Sequence, residues 1–203
     1  KKYKILIIEN SLDLNLKKDL EKKFYGVKIL IPKENLGLAK SYNLAIKKAK
    51  TKYVFLNNPD IEINNKSIQN LLICAKKIKN LGIISPVYKK EKIFKNYENF
   101  SFKKKNNSKF FKKFDIQEVD LIDNNFLIRK RDINNKLFDE NYFLYFETTD
   151  FATNLKKSGK KLYIAKKIKF HHFGSSSLNS KYKNLVKKTR SFHFNWSKFY
   201  FYK

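Results

Sequence analysis

The 203-residue sequence has no methionine, one cysteine, three prolines and only five glycines. Because methionine is missing even at position 1, we expect the natural protein to begin upstream of Lys1. The single cysteine, Cys74, excludes an intrachain disulfide and a paired-cysteine metal site, and its apolar neighbours predict a buried thiol. No apolar run approaches the ~20 residues that a membrane-spanning helix needs. A lone thiol fits a reducing compartment, so we expect a cytoplasmic protein.

Arginine is also scarce, since only three of the 46 basic residues are arginine. With 18 acidic residues the formal net charge is +28, which attracts polyanions such as nucleic acid, anionic lipid or a phosphorylated small molecule. Arginine is the residue favoured for bidentate recognition of phosphates and bases, so its shortage argues against a specific nucleic-acid partner. Lysine, asparagine, isoleucine, phenylalanine and tyrosine are abundant together, as in an A/T-rich gene. We favour that origin for the charge, with attraction to an anionic membrane surface as a by-product.

Apolar residues make up 42% of the chain, enough for a packed core. In the first half, strand and helix patterns alternate: strands are predicted at 3–8, 27–31, 53–56 and from 83, and helices at 12–24, 38–49 and 66–80. This alternation predicts an α/β fold with a mostly parallel central sheet and helices on both faces. The second half is less regular, with a loop or weak hairpin at 89–115, a strand at 119–128, a helix at 147–158, short strands at 162–164 and 168–170, and an aromatic C-terminal helix at 181–202.

Polar clusters stand at the predicted strand ends, where open α/β sheets bind ligands. Asp60 follows a buried strand, and a carboxylate there can hold a divalent cation against a diphosphate. The alternative is an ordinary Asn-Pro-Asp turn. Gly37 precedes a helix whose N-terminus favours anions, and a glycine lets the backbone approach a ligand closely. The alternative is a plain strand-to-helix turn with Asn43 exposed.

Two further clusters lie in the second half. Glu147 and Asp150 stand among aromatic residues, where partial loss of water raises a carboxyl pKa toward that of a useful base. The alternative is helix capping by Thr148 or Asp150. His171 and His172 adjoin each other at a strand end, where imidazole can complete the coordination of a metal, although a surface or core histidine is the commoner case.

In this order and spacing, four motifs resemble the family 2 glycosyltransferases of the GT-A fold, and among them the bacterial rhamnosyltransferase-like branch. The motifs are Asn-x-Gly-x-Ala-x-x-x-Asn at 35–43, Asn-Pro-Asp at 58–60, Phe-Asp-Glu…Tyr-Phe-Glu-x-x-Asp at 138–150, and His-x-x-Gly-x-Ser at 171–176. The resemblance implies a single domain over 1–203, with a nucleotide-sugar-binding half at 1–88 and an acceptor and catalytic half at 115–203.

The resemblance also implies roles for matching positions. Asp60 would bind Mg²⁺ or Mn²⁺ together with His171, with His172 as the alternative. The catalytic base would be Glu147 first and Asp150 second. The donor-binding residues would be Glu9, Asn10, Ser11, Asn35, Gly37, Asn43, Asn58 and Asp60.

Two departures from the family pattern stand out. The family has an acid where this chain has Thr148, and a threonine cannot act as a base near neutral pH. The family's first strand is missing, which would leave unpaired backbone within the sheet.

The expected function is inverting transfer of a sugar from a nucleotide diphosphate sugar to a saccharide or lipid-linked saccharide, in surface polysaccharide synthesis. The protein would work in the cytoplasm, on the inner face of the plasma membrane. The alternatives are a catalytically impaired nucleotide-sugar-binding subunit and a basic nucleic-acid-binding module.

Overall fold

The computed structural model describes residues 3–88, 95–133, 137–173 and 183–203. Its strands are β1 (Ile5–Ile8), β2 (Val27–Leu30), β3 (Tyr53–Leu56), β4 (Ile61–Glu62), β5 (Leu81–Tyr88), β6 (Tyr97–Glu98), β7 (Ile116–Val119), β8 (Leu121–Ile122), β9 (Phe126–Arg129) and β10 (Lys161–His172). Its helices are α1 (Leu14–Lys23), α2 (Gly37–Lys48), α3 (Asn65–Lys77), α4 (Lys109–Phe114), α5 (Glu147–Lys157) and α6 (Lys183–Tyr202), with a 3₁₀ turn at Lys130–Asp132.

The central sheet has the strand order β3-β9-β5-β10-β4, and β7 also pairs with β10. The strands β5 and β10 are parallel, whereas β9 is antiparallel to both of its neighbours, β3 and β5. The strands β1 and β2 form a separate parallel pair. The α/β class is therefore confirmed, but the strand directions are more mixed than predicted. The strands β3 and β5, from the alternating first half, run in the same direction. The strand β9, from the less regular second half, lies between them and runs in the opposite direction.

Helices cover both faces of this sheet. Successive strand residues point to opposite faces, so the apolar strand residues supply a core on each side. Ile83 belongs to a core that contains residues of α2 and α5, and Ile84 to a second core that contains residues of α3 and α4. Cys74 lies fully buried in the second core, as predicted, and burial raises the pKa of its thiol to about 12.

The second half differs from the prediction in its details. The single strand predicted at 119–128 is divided among β7, β8 and β9, with breaks at Asp120 and at 123–125. Buried Asp120 accepts hydrogen bonds from Lys103 Nζ and Lys156 Nζ and from the backbone N–H groups of Phe100 and Ser101, which satisfy its carboxylate at the first break. The region predicted as loop contains β6 and α4.

At the C-terminal side, the two predicted short strands form one strand, β10, with a register shift between Ala165 and Lys169. The predicted start of the last helix at 181 lies outside the described residues. None of the helices within the described ranges is long and apolar enough to cross a membrane.

Helix α6 fixes the segment that precedes α5, which we call the 139–146 segment. Ser197 Oγ donates to the carbonyl of Leu144 (2.9 Å), and Tyr200 Oη donates to Asp139 Oδ2 (3.0 Å). Tyr145 and Phe146 both have positive φ angles, 67° and 63°, a conformation that costs bulky residues on the order of 1–3 kcal/mol each. The contacts with α6 hold this strained turn, which sets where α5 begins.

Gly37 offers a test of how closely α2 packs on the same segment. A Cβ at Gly37 would lie 2.4 Å from the carbonyl oxygen of Phe143, and its φ is +67°. We expect Gly37→Ala to destabilise the protein by about 3 kcal/mol or more, since backbone strain and a backbone clash add. The measurement is urea unfolding at equilibrium.

Gly26→Ala is the matched control, because Gly26 also has a positive φ (+84°) but a Cβ there would have no atom within 4 Å. It should cost only about 1 kcal/mol. Equal losses in the two variants would show that the packing of α2 on Phe143 is not tight.

Candidate active site

Asp60 lies just beyond the end of β3, with one carboxylate oxygen paired and the other buried without a partner. Its Oδ2 is 3.0 Å from His172 Nε2. Its Oδ1 makes no hydrogen bond to the described part of the chain although it is buried. Buried polar atoms are almost always hydrogen-bonded in native proteins, so this oxygen marks a place for a ligand atom.

The histidine beside Asp60 is His172, the predicted alternative, and not His171, the first choice as metal ligand. In the antiparallel pairing of β10 with β4, His171 lies opposite Glu62 and His172 lies opposite Ile61. Because successive strand residues point to opposite faces, only one of the two histidines can reach Asp60, and it is His172, the alternative. The His171 ring packs against Phe173 instead, with centroids 4.7 Å apart.

Asn125 is a site residue that the sequence interpretation missed. Its Oδ1 accepts from the backbone N–H of Asn58 (2.7 Å), and its Nδ2 donates to the Tyr88 hydroxyl (3.1 Å). The Tyr88 ring stacks on His172, with centroids 5.0 Å apart. The Asp-Asn-Asn run at 123–125, inside the predicted strand 119–128, was the signal that could have drawn attention to it.

Tyr42 connects this group to the start of α5. Its hydroxyl donates to Asn58 Oδ1 (2.9 Å). Burial first, and then the negative charges of Glu147 and Asp123 with a smaller effect of Asp60, raise the pKa of the Tyr42 phenol. Electrostatic influence falls with distance, and all three carboxylates act on this one phenol. We call Tyr42, Asn58, Asp60, Asp123, Asn125, Glu147 and His172 the acidic cluster.

Glu147 is the first residue of α5 and only 3% exposed. Burial, assisted by the charge of Asp123 and opposed by a hydrogen bond from its own backbone N–H, raises the pKa of Glu147 to about 7. Its Oε2 is buried and has no hydrogen-bond partner in the described ranges. A group with this pKa can both accept and release a proton near neutral pH.

Asp150, the second predicted base, is placed differently. Its Oδ2 accepts from Asn154 Nδ2 (2.9 Å), one turn further along α5. Burial and then the charge of Asp139 raise its pKa, so its charged neighbour lies in the 139–146 segment. Glu147 acts electrostatically on Tyr42, as Asp60 does, and both Glu147 and Asp150 act on Tyr142. Which of the two carboxylates is the base stays a prediction.

The predicted donor-binding residues near the N-terminus make hydrogen bonds within the chain. Asn10 Nδ2 donates to Ser41 Oγ (2.8 Å), and Asn10 Oδ1 accepts from the backbone N–H of Leu36 (3.3 Å), which ties the end of β1 to the start of α2. Glu9 Oε1 accepts from the backbone N–H (2.6 Å) and the hydroxyl (2.5 Å) of Ser11. Their role in binding a donor stays a prediction.

The residues of the first motif also have structural partners. Asn35 Oδ1 accepts from the backbone N–H of Gly37 (2.9 Å). The buried amide of Asn43 exchanges two hydrogen bonds with the backbone of Phe138, both 2.9 Å, and donates to Glu140 Oε1. The motif at 35–43 thus joins α2 to the chain before α5, and its contact with a donor stays a prediction.

Asp60 and His172 fit a divalent cation that is only partly held by protein. They offer one buried carboxylate oxygen and one imidazole nitrogen. No group of three or more histidine, cysteine or acidic residues in the described ranges has the arrangement of a metal centre. Such a pair suits a cation that takes its other oxygen ligands from phosphate and water, as Mg²⁺ commonly does.

Two surface hollows lie away from the acidic cluster. One, of about 360 Å³, is lined by α6 residues that include Phe199, and the other, of about 400 Å³, by Ile46, Leu137 and neighbouring side chains. Neither is lined by Asp60 or Glu147. Residues 174–177, the Gly-Ser part of the fourth motif, lie outside the described residues.

Comparison with known proteins gives one family and one fold. The model of the family described as "Glycosyl transferase family 2" matches residues 1–138. A crystal structure of GalNAc-T7 with UDP, GalNAc and Mn²⁺ is similar at a TM-score of 0.65 and 13% identity. The similarity covers 83% of this chain and 37% of that one. No curated protein sequence matches.

The buried carboxyl of Glu147 makes stability depend on pH. The pKa of Glu147 is about 7 in the folded protein, against 4.5 for an unperturbed glutamate. Above pH 4.5 the unfolded chain releases this proton while the folded chain keeps it, so the free energy of unfolding decreases as the pH rises from 4.5 to about 7. We expect Glu147→Gln to be more stable than the natural chain by about 1–3 kcal/mol at pH 8, with the gain vanishing near pH 4.5. Denaturant unfolding at several pH values measures it.

Glu98→Gln is the control for the same substitution at an exposed carboxylate, and it should show no such trend. A stability difference for Glu147→Gln that is constant from pH 4.5 to 8 would mean that burial does not disfavour the ionised form.

Proposed function

Because the chain belongs to glycosyl transferase family 2, we propose that it transfers a sugar from a nucleoside diphosphate sugar to a hydroxyl group of a saccharide or lipid-linked saccharide. The supporting observation is the acidic cluster, in which Asp60 and Glu147 each present a buried oxygen that no described residue satisfies. A buried carboxylate oxygen without a partner destabilises the fold unless a ligand binds it or a proton neutralises it.

The proposed cofactor is Mg²⁺ or Mn²⁺, held by Asp60 and His172. The structurally similar GalNAc-T7 carries UDP and Mn²⁺, which supports a nucleoside diphosphate and a divalent cation here. A bound cation would neutralise the negative charge of the diphosphate as it departs. Asn58, tied to Tyr42 and Asn125, would keep the loop before Asp60 in place while the diphosphate binds.

The proposed reaction is a single displacement with inversion at the anomeric carbon. The acceptor oxygen bonds to that carbon while the bond from carbon to the phosphate oxygen breaks, and the diphosphate leaves with the electron pair. A carboxylate receives the proton of the acceptor hydroxyl. Of the two predicted candidates, Glu147 belongs to the acidic cluster and has a pKa near neutrality, whereas Asp150 is bonded to Asn154.

The finer assignments rest on the resemblance of the motifs to the rhamnosyltransferase-like branch. This resemblance favours transfer of a hexose, with rhamnose as the first candidate sugar and a dTDP-sugar as the donor. Growth of a surface polysaccharide is the proposed pathway, on the cytoplasmic side of the membrane. The alternative, a nucleotide-sugar-binding subunit without catalysis, is favoured by Thr148, which replaces an acid of the family.

The proposal predicts a large effect of Asp60→Ala. We expect transfer, measured as release of nucleoside diphosphate from a panel of UDP- and dTDP-sugars, to fall by about 100-fold or more, since the diphosphate charge would be poorly neutralised. Mn²⁺-dependent stabilisation of the protein by UDP, measured as a thermal shift, should fall as well.

Glu62→Gln is the matched control, because Glu62 is exposed, lies two residues from Asp60 and is opposite His171 rather than His172. It should retain activity. Full transfer by Asp60→Ala would reject the assignment, and donor binding by the natural chain without any turnover would favour the binding subunit.

We also propose that α6 rests on an anionic membrane surface. Phe192, Phe199 and Tyr202 on this helix are 64–73% exposed, and lysines accompany them along the helix. Aromatic side chains together with lysines are typical of helices that lie in the membrane interface, and the net charge of +28 adds attraction to anionic lipid. A surface-bound enzyme would meet a lipid-linked acceptor directly.

A double variant, Phe192→Ser with Phe199→Ser, tests this placement. We expect at least a several-fold loss of co-sedimentation with vesicles that contain anionic lipid, because two apolar anchors are removed while the charge is unchanged. Phe102→Ser is the control, since Phe102 is 95% exposed but lies far from α6 in the sequence. Co-sedimentation of the natural chain that does not respond to anionic lipid would reject the proposal.

A further inference from the structure

Asp123 is a carboxylate of the acidic cluster with no role so far. It lies in the turn between β8 and β9 and is exposed to solvent, whereas Glu147 and Thr148 are buried. Its Oδ1 accepts from the backbone N–H of Asn124 (2.8 Å) and lies 3.5 Å from Thr148 Oγ1. The carboxylate therefore lies beside Thr148, the residue that stands where the family has an acid.

The turn that carries Asp123 is fixed by hydrogen bonds on both sides. The backbone N–H of Asp123 donates to the carbonyl of Asn96 (2.9 Å), and the carbonyl of Asn125 accepts from Ser85 Oγ (2.8 Å). Asn125 itself has a φ of 68° and binds the backbone of Asn58. A carboxylate on a turn held this way is preorganised relative to Asp60, as an acid–base group must be.

The charge of Asp123 acts on two other groups of the acidic cluster. Its negative charge raises the pKa of both Glu147 and Tyr42, after the larger effect of burial in each case. The two carboxylates differ in access, since Glu147 is 3% exposed while Asp123 faces water. An acceptor hydroxyl arriving from solvent can meet Asp123 without displacing a packed side chain.

We propose that Asp123, rather than Glu147, is the catalytic base of this chain and takes over the role of the acid that Thr148 replaces. The inference rests on the proposed function. In the step, the acceptor O–H proton passes to Asp123 as the oxygen bonds to the anomeric carbon and the nucleoside diphosphate leaves with the electron pair of the broken bond. Glu147, which is only 3% exposed, then takes no part in this proton transfer.

The test removes the carboxylate from position 123 and introduces one at position 148, whose side chain lies 3.5 Å away. Asp123→Asn should lower the turnover number for nucleoside diphosphate release by about 100-fold or more, with UDP–Mn²⁺ binding within about twofold of the natural chain. Adding Thr148→Asp to Asp123→Asn should restore at least about 10-fold of the lost rate. Thr148→Asn in the same background is the uncharged control and should restore nothing. Asp19→Asn, at an exposed site on α1, controls for the substitution itself.

A second measurement does not depend on whether an aspartate folds at the buried position 148. Sodium formate, a small carboxylate, should raise the activity of Asp123→Ala in a concentration-dependent way and leave Asp60→Ala inactive. Absence of formate rescue together with an inactive but folded Asp123→Asn/Thr148→Asp variant would overturn the assignment.

The outcomes separate this inference from the proposed function. If the natural chain turns over a donor and Asp123→Asn keeps more than half of that turnover number, Asp123 is not the base, although the transferase function stands. A natural chain that neither binds UDP–Mn²⁺ nor turns over any donor in the panel would reject the proposed function, and the role of Asp123 with it.

Discussion

The side chain of Asn125 is the contact on which the rest of the site depends. Asn125 lies just before β9 and joins the ends of the two strands that flank β9, through the backbone of Asn58 after β3 and the hydroxyl of Tyr88 at the end of β5. From these two points the site extends in both directions, through Tyr42 toward Glu147 and through the stacked ring of His172 toward Asp60. Because β9 inserts between β3 and β5, one amide can reach both strand ends.

A second constraint is the strained turn at Tyr145 and Phe146, which orients the first residue of α5. Two consecutive bulky residues with positive φ persist only where surrounding contacts hold them. Here α6 bonds to one side of the segment, and α2 approaches the other, where the backbone N–H of Leu38 donates to the carbonyl of Phe143. The motif at 35–43 therefore contributes to the site by packing.

The charge distribution has a consequence for chemistry. The chain carries a net charge of +28, yet three carboxylates of the acidic cluster act electrostatically on Tyr42. Burial, with a smaller effect of the charge of Asp123, raises the pKa of Glu147 to about 7, so Glu147 is partly protonated near neutral pH. The proposed divalent cation would compensate this negative charge, and the excess of lysines would favour the approach of a phosphate-bearing donor.

By itself the sequence determined the α/β class, the elements of the first half, the buried thiol of Cys74 and Asp60 as a group at a strand end, because periodicity and turn residues are local signals. It did not identify His172 as the neighbour of Asp60, since that contact depends on how the turn before β4 meets the end of β10 in three dimensions. It also missed Asp123 and Asn125, which were hidden in one predicted strand. Their proximity to Asp60 and Thr148 arises from the antiparallel insertion of β9 and the packing of α5, which are contacts between distant parts of the chain that no local pattern records.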